Sequence, residues 1–375
     1  MNAHIDTSLA AARPAGSPGL AGIVAADTVL SHVDGSGGRL IIRGMPVEAL
    51  AGAVSYEAGT GRLLAGFAPV GDDAALTAAI GEGRVEAHRH FAGRLDGDAP
   101  RDPVEAMRLL LASVGDGDAL AAPAGLIGAV GVAAAMAMRA GEGLAALPPD
   151  AALPHAVDLQ RMIAGRMPDT AAARAFETYL VTVIDHGLNA STFTARVVAS
   201  TESGLVSAVI AALSALKGRL HGGAPGPVLD MLDAIGVAER AEPWLEEQMD
   251  RGERIMGFGH RAYRVRDPRA DVLRAAIDRL GAPDERLELA RAVEKAALAV
   301  LARRKSSRRL DVNVEFYTAL LLEHLGIPRA GFTAVFAAGR VAGWIAHALE
   351  QQQAGSLIRP DARYVGPEPL AAVGS

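Results

Sequence analysis

The chain contains no cysteine at all, which excludes disulfide bonds, thiolate metal sites and a cysteine nucleophile. It also lacks a strong charge of one sign. Lys and Arg total 37 against 43 Asp and Glu, a formal net charge of −6. General nucleic-acid binding is thereby disfavoured, and any arginine that binds an anion must act locally. No internal repeat is evident, and no alternation of strands and helices suggests a parallel sheet. The first seventeen residues have no basic start followed by an apolar core, so they read as a loose tail rather than a signal peptide. A cytoplasmic location follows as the default. One uncharged run, Ala119 to Met138, is long enough to span a bilayer. It is mostly alanine and glycine with Pro123 near its start, and Gly125, Gly128 and Gly131 suit close helix–helix packing. It is read as the buried helix of a soluble protein.

With 375 residues, half of them apolar, the chain can bury a large core and is expected to divide into two domains. Ala21 to Val33 and Arg39 to Arg43 are β-prone runs flanking the turn signal Asp34-Gly35-Ser36-Gly37-Gly38. Met45 to Leu95 reads as broken helices and polar loops, with His88 and His90 solvated. Asp102-Pro103-Val104-Glu105 combines an N-cap, a first-turn proline and a capping-box glutamate, followed by Val104, Met107, Leu111 and Val114 at helical spacing. Further helices are expected from Asp169 to Asp185, Gly204 to Leu220, Asp284 to Arg304 and Phe332 to Gln353. The fold class is mainly α with a minor N-terminal β-hairpin.

The most informative stretch runs from Ile255 to Arg269, where Gly257-Phe258-Gly259 leads directly to His260. Glycines there permit positive φ or close approach of another molecule. Arg261, Arg264, Arg266 and Arg269 follow, and Asp267-Pro268 is a helix start. This stretch alone fits equally a histidine beside an anion-binding cluster and a surface loop with solvated arginines. Leu220-His221-Gly222-Gly223 sets a second histidine in a glycine-rich break. Asn313-Val314-Glu315-Phe316-Tyr317 sets a carboxylate in an apolar run.

These three stretches together resemble the citrate synthase family, whose H-G-G, G-F-G-H-R-x-Y-x-x-x-D-P-R and N-V-D-F-Y motifs occur in this order. The resemblance covers the chain from about Gly19 to Tyr364, with Glu315 standing where the family has aspartate and Asp311-Val312 where it usually has tyrosine and proline. It implies a tail over residues 1–17, a large helical domain over 18–222 and 327–375, and a small helical domain over 223–326 between them. It also implies a homodimer.

The activity implied is condensation of acetyl-CoA, oxaloacetate and water to citrate and CoA, the entry step of the tricarboxylic acid cycle. The close alternatives are a 2-methylcitrate synthase using propionyl-CoA and a non-catalytic paralogue that binds CoA thioesters or oxaloacetate. By the resemblance Glu315 is the base, His221 the donor to the thioester oxygen and His260 the group that polarises the ketone. His186, within D-H-x-x-N-A-S, would bind oxaloacetate with Arg269 and Arg340, and Arg359 would reach in from the partner subunit. CoA would meet the backbone of Gly257, then Arg264, Lys305 in the basic run 303–309, and Asn313. No metal and no tightly bound cofactor is expected. His155, His324 and His347 match no motif and are read as structural. Arg340, on an apolar helix, would be an expensive orphan charge without a bound carboxylate.

Overall fold

A computed structural model describes residues 20, 22–97, 99–218, 220–222, 225–260, 262–281, 285–304, 310–362, 364 and 366. The expected tail over residues 1–17 and the candidate Lys305 lie outside them.

The hairpin forms around its turn. Asp34 Oδ1 accepts the N–H groups of Ser36 and Gly37 at 3.1 and 2.8 Å, and its carboxylate pairs with Arg39 at 2.9 Å. Strands β1 (Ser31–Asp34) and β2 (Arg39–Ile42) pair antiparallel with Asp34 opposite Arg39. The β-prone run from Ala21 becomes a strand only at Ser31, and a third short strand, β3 (Met45–Pro46), pairs with β2.

The stretch expected to be broken is instead regular: α1 (Val47–Leu50), α2 (Tyr56–Leu64) and α3 (Asp73–Phe91). The 19-residue α3 is capped by Asp72, yet its many alanines and glycines give no clear apolar stripe. Its stability comes from a neighbour, α5 (Pro123–Gly141). A Cβ on Gly83 would lie 2.7 Å from the Gly125 Cα, and one on Gly128 would lie 2.7 Å from Arg84 N and Ile80 O. Two backbones in such contact need glycine on both sides.

α4 (Pro103–Leu111) is capped by Asp102 as expected, whereas Glu105 does not close a capping box. Its carboxylate is drawn to Arg108 and Lys217 instead. α6 (His155–Ala164), α7 (Thr170–Thr182), α8 (Ala190–Ala199) and α9 (Leu205–Leu216) follow. α9 stops four residues short of the expected Leu220, because Gly222 folds back and donates its N–H to Leu216 O at 2.8 Å. That turn presents His221.

The remaining helices are α10 (Gly226–Ile235), α11 (Ala241–Asp250), α12 (Pro268–Asp278), α13 (Glu285–Arg304), α14 (Val314–His324) and α15 (Phe332–Ala354). α15 is the hub, with α2, α5, α7, α8 and α9 packed on it. The windows Pro123–Gly141 and Arg329–Ala354 have the length and hydropathy of membrane spans, but 78% and 89% of them is buried within the fold. Elsewhere α11 packs on α13, and α10 on α13 and α14. α12 and α14 pack on each other and both meet α7.

Candidate active site

Gly257 and Gly259 adopt φ of +81° and +79°, the left-handed region that favours glycine. Gly257 O accepts the Asn313 N–H at 2.9 Å, and Gly259 N–H donates to Asp311 O at 2.7 Å. The loop is therefore zipped to the segment entering α14. Asn313 completes the join: its Nδ2 donates to Gly259 O at 2.8 Å while its Oδ1 caps α14 through the Glu315 N–H at 3.0 Å. The side chain expected to meet CoA is thus committed to tying the loop to α14.

The loop aims His260. Its Nδ1 accepts the backbone N–H groups of Ala262 and Tyr263 at 3.0 and 3.1 Å. A nitrogen that accepts two bonds carries no proton, so the neutral ring has its hydrogen on Nε2. Nε2 lies 3.5 Å from Arg269 Nη2. Burial, then Arg269, pulls the His260 pKa down to about 4, against Asp267. The ring is neutral at pH 7 and presents a donor.

Asp267 and Arg269 form a buried pair at the start of α12. Asp267 accepts from Arg269 Nε at 3.0 Å and Nη2 at 2.8 Å, and also from the Val314 N–H at 3.2 Å. One carboxylate so locks the guanidinium to the first residue of α14. Asp267, read from sequence only as a helix start, belongs to the candidate cluster through Arg269.

His186 is 9% exposed, and its ring meets those of His260 and Tyr263 edge-on at centroid distances of 5.5 and 5.6 Å. Its Nε2 is buried with no hydrogen-bond partner among the described residues. Burial, then Arg269, holds it neutral. Beneath it runs a buried chain. Arg196 Nη1 donates to His347 Nδ1 at 3.0 Å, so His347 turns its Nε2–H to Asp185, 3.3 Å away. Burial would raise the Asp185 carboxyl, but His347 holds it at about 2. The histidine read as structural therefore supports the segment that carries His186.

Arg340 is 1% exposed. Its Nε donates to Val183 O, its guanidinium carbon lies 4.8 Å from the Phe336 ring centroid, and its Nη1 has no partner among the described residues. Burial lowers its pKa to about 10, opposed by Asp185. A cation kept dry with an unused donor is a seat for an anion.

His221, delivered by the turn after α9, is also half-buried, with its pKa lowered to about 4 by burial and then by Arg340. Its Nε2 lies 2.8 Å from Ser191 Oγ, which accepts the indole N–H of Trp344 at 3.2 Å. Ser191 and Trp344 thus fix the ring from behind. Ser191 closes the motif that carries His186, which was its only signal in the sequence, and a tryptophan in an apolar helix reads as structure.

Glu315 stands in the first turn of α14, half-buried. Burial pushes its carboxyl up to about 7, Arg269 and Arg340 pull down, and Asp267 pushes up again. Two phenols accompany these groups: Tyr263, 4.9 Å from His260 between ring centroids, and Tyr179 on α7, the helix against which α12 and α14 pack.

The remaining candidates stand apart. Arg264 is exposed, its N–H bonded to Gly35 O at 2.8 Å, and Arg359 is exposed beyond α15. Arg303 and Arg304 pair with Glu242, Glu246 and Asp250 of α11. His155 stacks on Tyr56 at 5.2 Å, the structural place expected of it. His90 is not solvated: it is half-buried, with Nε2 at 3.0 Å from Ser113 O, and half-buried His88 has its pKa lowered by burial.

A carboxyl near neutrality that interacts with two dry guanidinium groups, which in turn act on the uncharged imidazoles His260 and His221, suits acid–base chemistry on an anionic substrate. The family profile described as the citrate synthase C-terminal domain matches residues 19–361, and the chain belongs to the citrate synthase family. A putative citrate synthase 2 of Mycobacterium tuberculosis is 51% identical over 202 residues, covering 54% of each chain. The chain thus spans about half the length of these mycobacterial relatives. The 2-methylcitrate synthase of the same species is 35% identical over 97% of this chain and 94% of its own. Citrate synthase from Thermoplasma acidophilum, solved as a ternary complex with carboxymethyl coenzyme A and oxaloacetate, superposes with a TM-score of 0.82 at 26% identity, covering 94% of this chain and 97% of that one.

Proposed function

We propose that the protein is a citrate synthase, joining acetyl-CoA to oxaloacetate with water to give citrate and free CoA. The observation that carries this reading is Glu315, a carboxyl that burial raises to about 7 under the opposing charges of Arg269, Asp267 and Arg340. A thioester methyl is a very weak acid, so its deprotonation needs a base together with donors that stabilise the enolate oxygen. In this reading Glu315 takes the methyl proton while His221 donates to the thioester oxygen. His260 polarises the oxaloacetate ketone through Nε2–H and protonates the alkoxide after the new carbon–carbon bond forms. Water then cleaves the thioester. Arg269, Arg340 and the unpartnered His186 Nε2 bind the oxaloacetate carboxylates. The CoA thioester is a co-substrate, contacted by the Gly257 backbone, Arg264 and Lys305, and no tightly bound cofactor or metal is required.

We take the working unit to be a cytoplasmic homodimer, with Arg359 completing the partner's site and residues 223–326 closing over it. The half-buried Leu205 and Ile210 on apolar α9 support a subunit contact, and the burial of α5 and α15 supports a soluble protein.

The test is release of CoA thiol from acetyl-CoA with and without oxaloacetate, repeated with propionyl-CoA. Oxaloacetate-dependent release is expected. A folded protein that binds oxaloacetate but releases no thiol would instead be a binding paralogue. The second reading, a 2-methylcitrate synthase, is favoured by the relative of that name matching 97% of the chain. One methylene in an apolar pocket discriminates by ~1–3 kcal/mol, so the rate ratio of the two thioesters decides between them.

A further inference from the structure

Tyr179 is 0% exposed, and its hydroxyl has no hydrogen-bond partner among the described residues. It stands on α7, the helix that both α12 and α14 pack against. The charges acting on the phenol are Glu315, then Arg340 and Arg269, the same groups that surround the proposed base together with Asp267. Its ring is already accounted for by packing, stacked on Phe176 at 6.5 Å. Phenylalanine would bury the same apolar surface without leaving a dry hydroxyl unsatisfied, which costs stability. The hydroxyl therefore calls for a partner that arrives later.

Burial, then Glu315, raises the phenol's pKa, so at neutral pH it keeps its proton. An ionised carboxylate only accepts hydrogen bonds. Glutamate carries its carboxylate one methylene further from the backbone than aspartate, and that extra reach must be held in place to be useful. Catalytic hydrogen bonds are often unmade in the unliganded state and tighten with substrate.

We infer that Tyr179 is a positioning residue for Glu315: in the substrate-loaded site its hydroxyl donates to the Glu315 carboxylate, holding the longer side chain where proton transfer needs it. The inference rests on Glu315 being the base. It makes the tyrosine specific to a site with glutamate, and it predicts that a group retained for catalysis gives nothing to the stability of the empty enzyme.

The experiment is a double-mutant cycle of Tyr179→Phe and Glu315→Asp, read by oxaloacetate-dependent thiol release across pH and by thermal melting of the unliganded protein. In the parent background Tyr179→Phe should lower kcat about 10- to 100-fold, the scale of a misplaced catalytic group. KM for oxaloacetate should stay within about twofold, since the loss falls on the base and not on substrate binding. The acid limb of kcat should move to higher pH, because the lost donor favoured the ionised carboxylate. The melting temperature should stay equal or rise. With aspartate at 315 the effect of Tyr179→Phe should largely vanish. Equal losses in both backgrounds, an unmoved acid limb or a lowered melting temperature would make Tyr179 a structural residue and overturn the inference. Activity surviving in Glu315→Gln would instead remove the base assignment itself. An inactive Glu315→Gln beside a parent-like Tyr179→Phe would sink this inference alone.

Discussion

At Glu315 two demands oppose each other. Enclosure disfavours the charge, while Arg269 and Arg340 favour it, and the balance leaves the carboxyl at about 7. As a base it must be ionised, so kcat should rise with pH through about 7. His221 and His260, both at about 4, stay neutral in that window. The stability sign is the reverse. A carboxyl whose folded pKa exceeds its unfolded one destabilises the fold increasingly as pH climbs from the unfolded value, and the cost is fully present above about 7. Glu315→Gln should therefore lower thiol release by on the order of 10²–10⁴-fold. It should also melt higher than the parent at pH 8 and by a smaller margin at pH 5. Asp267→Asn swaps an acceptor-only group for one that presents donors to Arg269. We expect a roughly tenfold or greater rise in oxaloacetate KM, the scale of one charged hydrogen bond, measured by steady-state kinetics. The candidates His221, His260, Arg269 and Glu315 were legible because each sits in a motif, and Arg340 because it is a charge on an apolar helix. Tyr179 and Trp344 were not, because inside a helical pattern each reads as ordinary packing, and Ser191 closed the His186 motif without a role of its own.

Among the elements, the hairpin and the histidine loop act as one piece. Gly35 O receives the Arg264 N–H, and a Cβ on Gly35 would sit 2.0 Å from Ala262 O. Gly35→Ala must push the loop away just beyond His260. It should destabilise by about 1–3 kcal/mol and raise the KM for the CoA thioester. Gly252→Ala is the control, since nothing lies within 4 Å of its Cβ and only the positive φ of +77° is penalised, at about 1–2 kcal/mol without a kinetic effect. Melting curves and kinetics of the two variants check the contrast. The turn itself was visible in the sequence, but its docking partner was not. The same holds for α3: alanine and glycine without an apolar stripe looked like loops. The close glycine crossing with α5 that makes α3 a helix is a contact between distant residues.

For the whole molecule, the proposed dimer makes a prediction that a monomer cannot satisfy. Arg359 is exposed beyond α15, whereas Glu315 lies within the chain's own cluster. Glu315→Gln and Arg359→Ala subunits, each impaired alone, should regain activity when unfolded and refolded together, because a mixed dimer holds one site with both native residues. No gain on mixing, checked by thiol release beside a mass measurement of the assembly, would leave Arg359 out of the partner's site.

The sequence by itself determined the helical class, the hairpin, several helix starts and the candidate reacting groups. Those depend on local signals: a capping aspartate, a first-turn proline, a glycine pair before a histidine. Only the tertiary structure decided the protonation and aim of these groups. Burial among helices far apart in the chain sets Glu315 near 7 and His221 and His260 near 4. Contacts across the fold turn His260 Nε2 toward Arg269, spend Asn313 on the loop and leave the Tyr179 hydroxyl without a partner among the described residues. Desolvation and long-range packing depend on what surrounds a residue in space, and no window of sequence contains that.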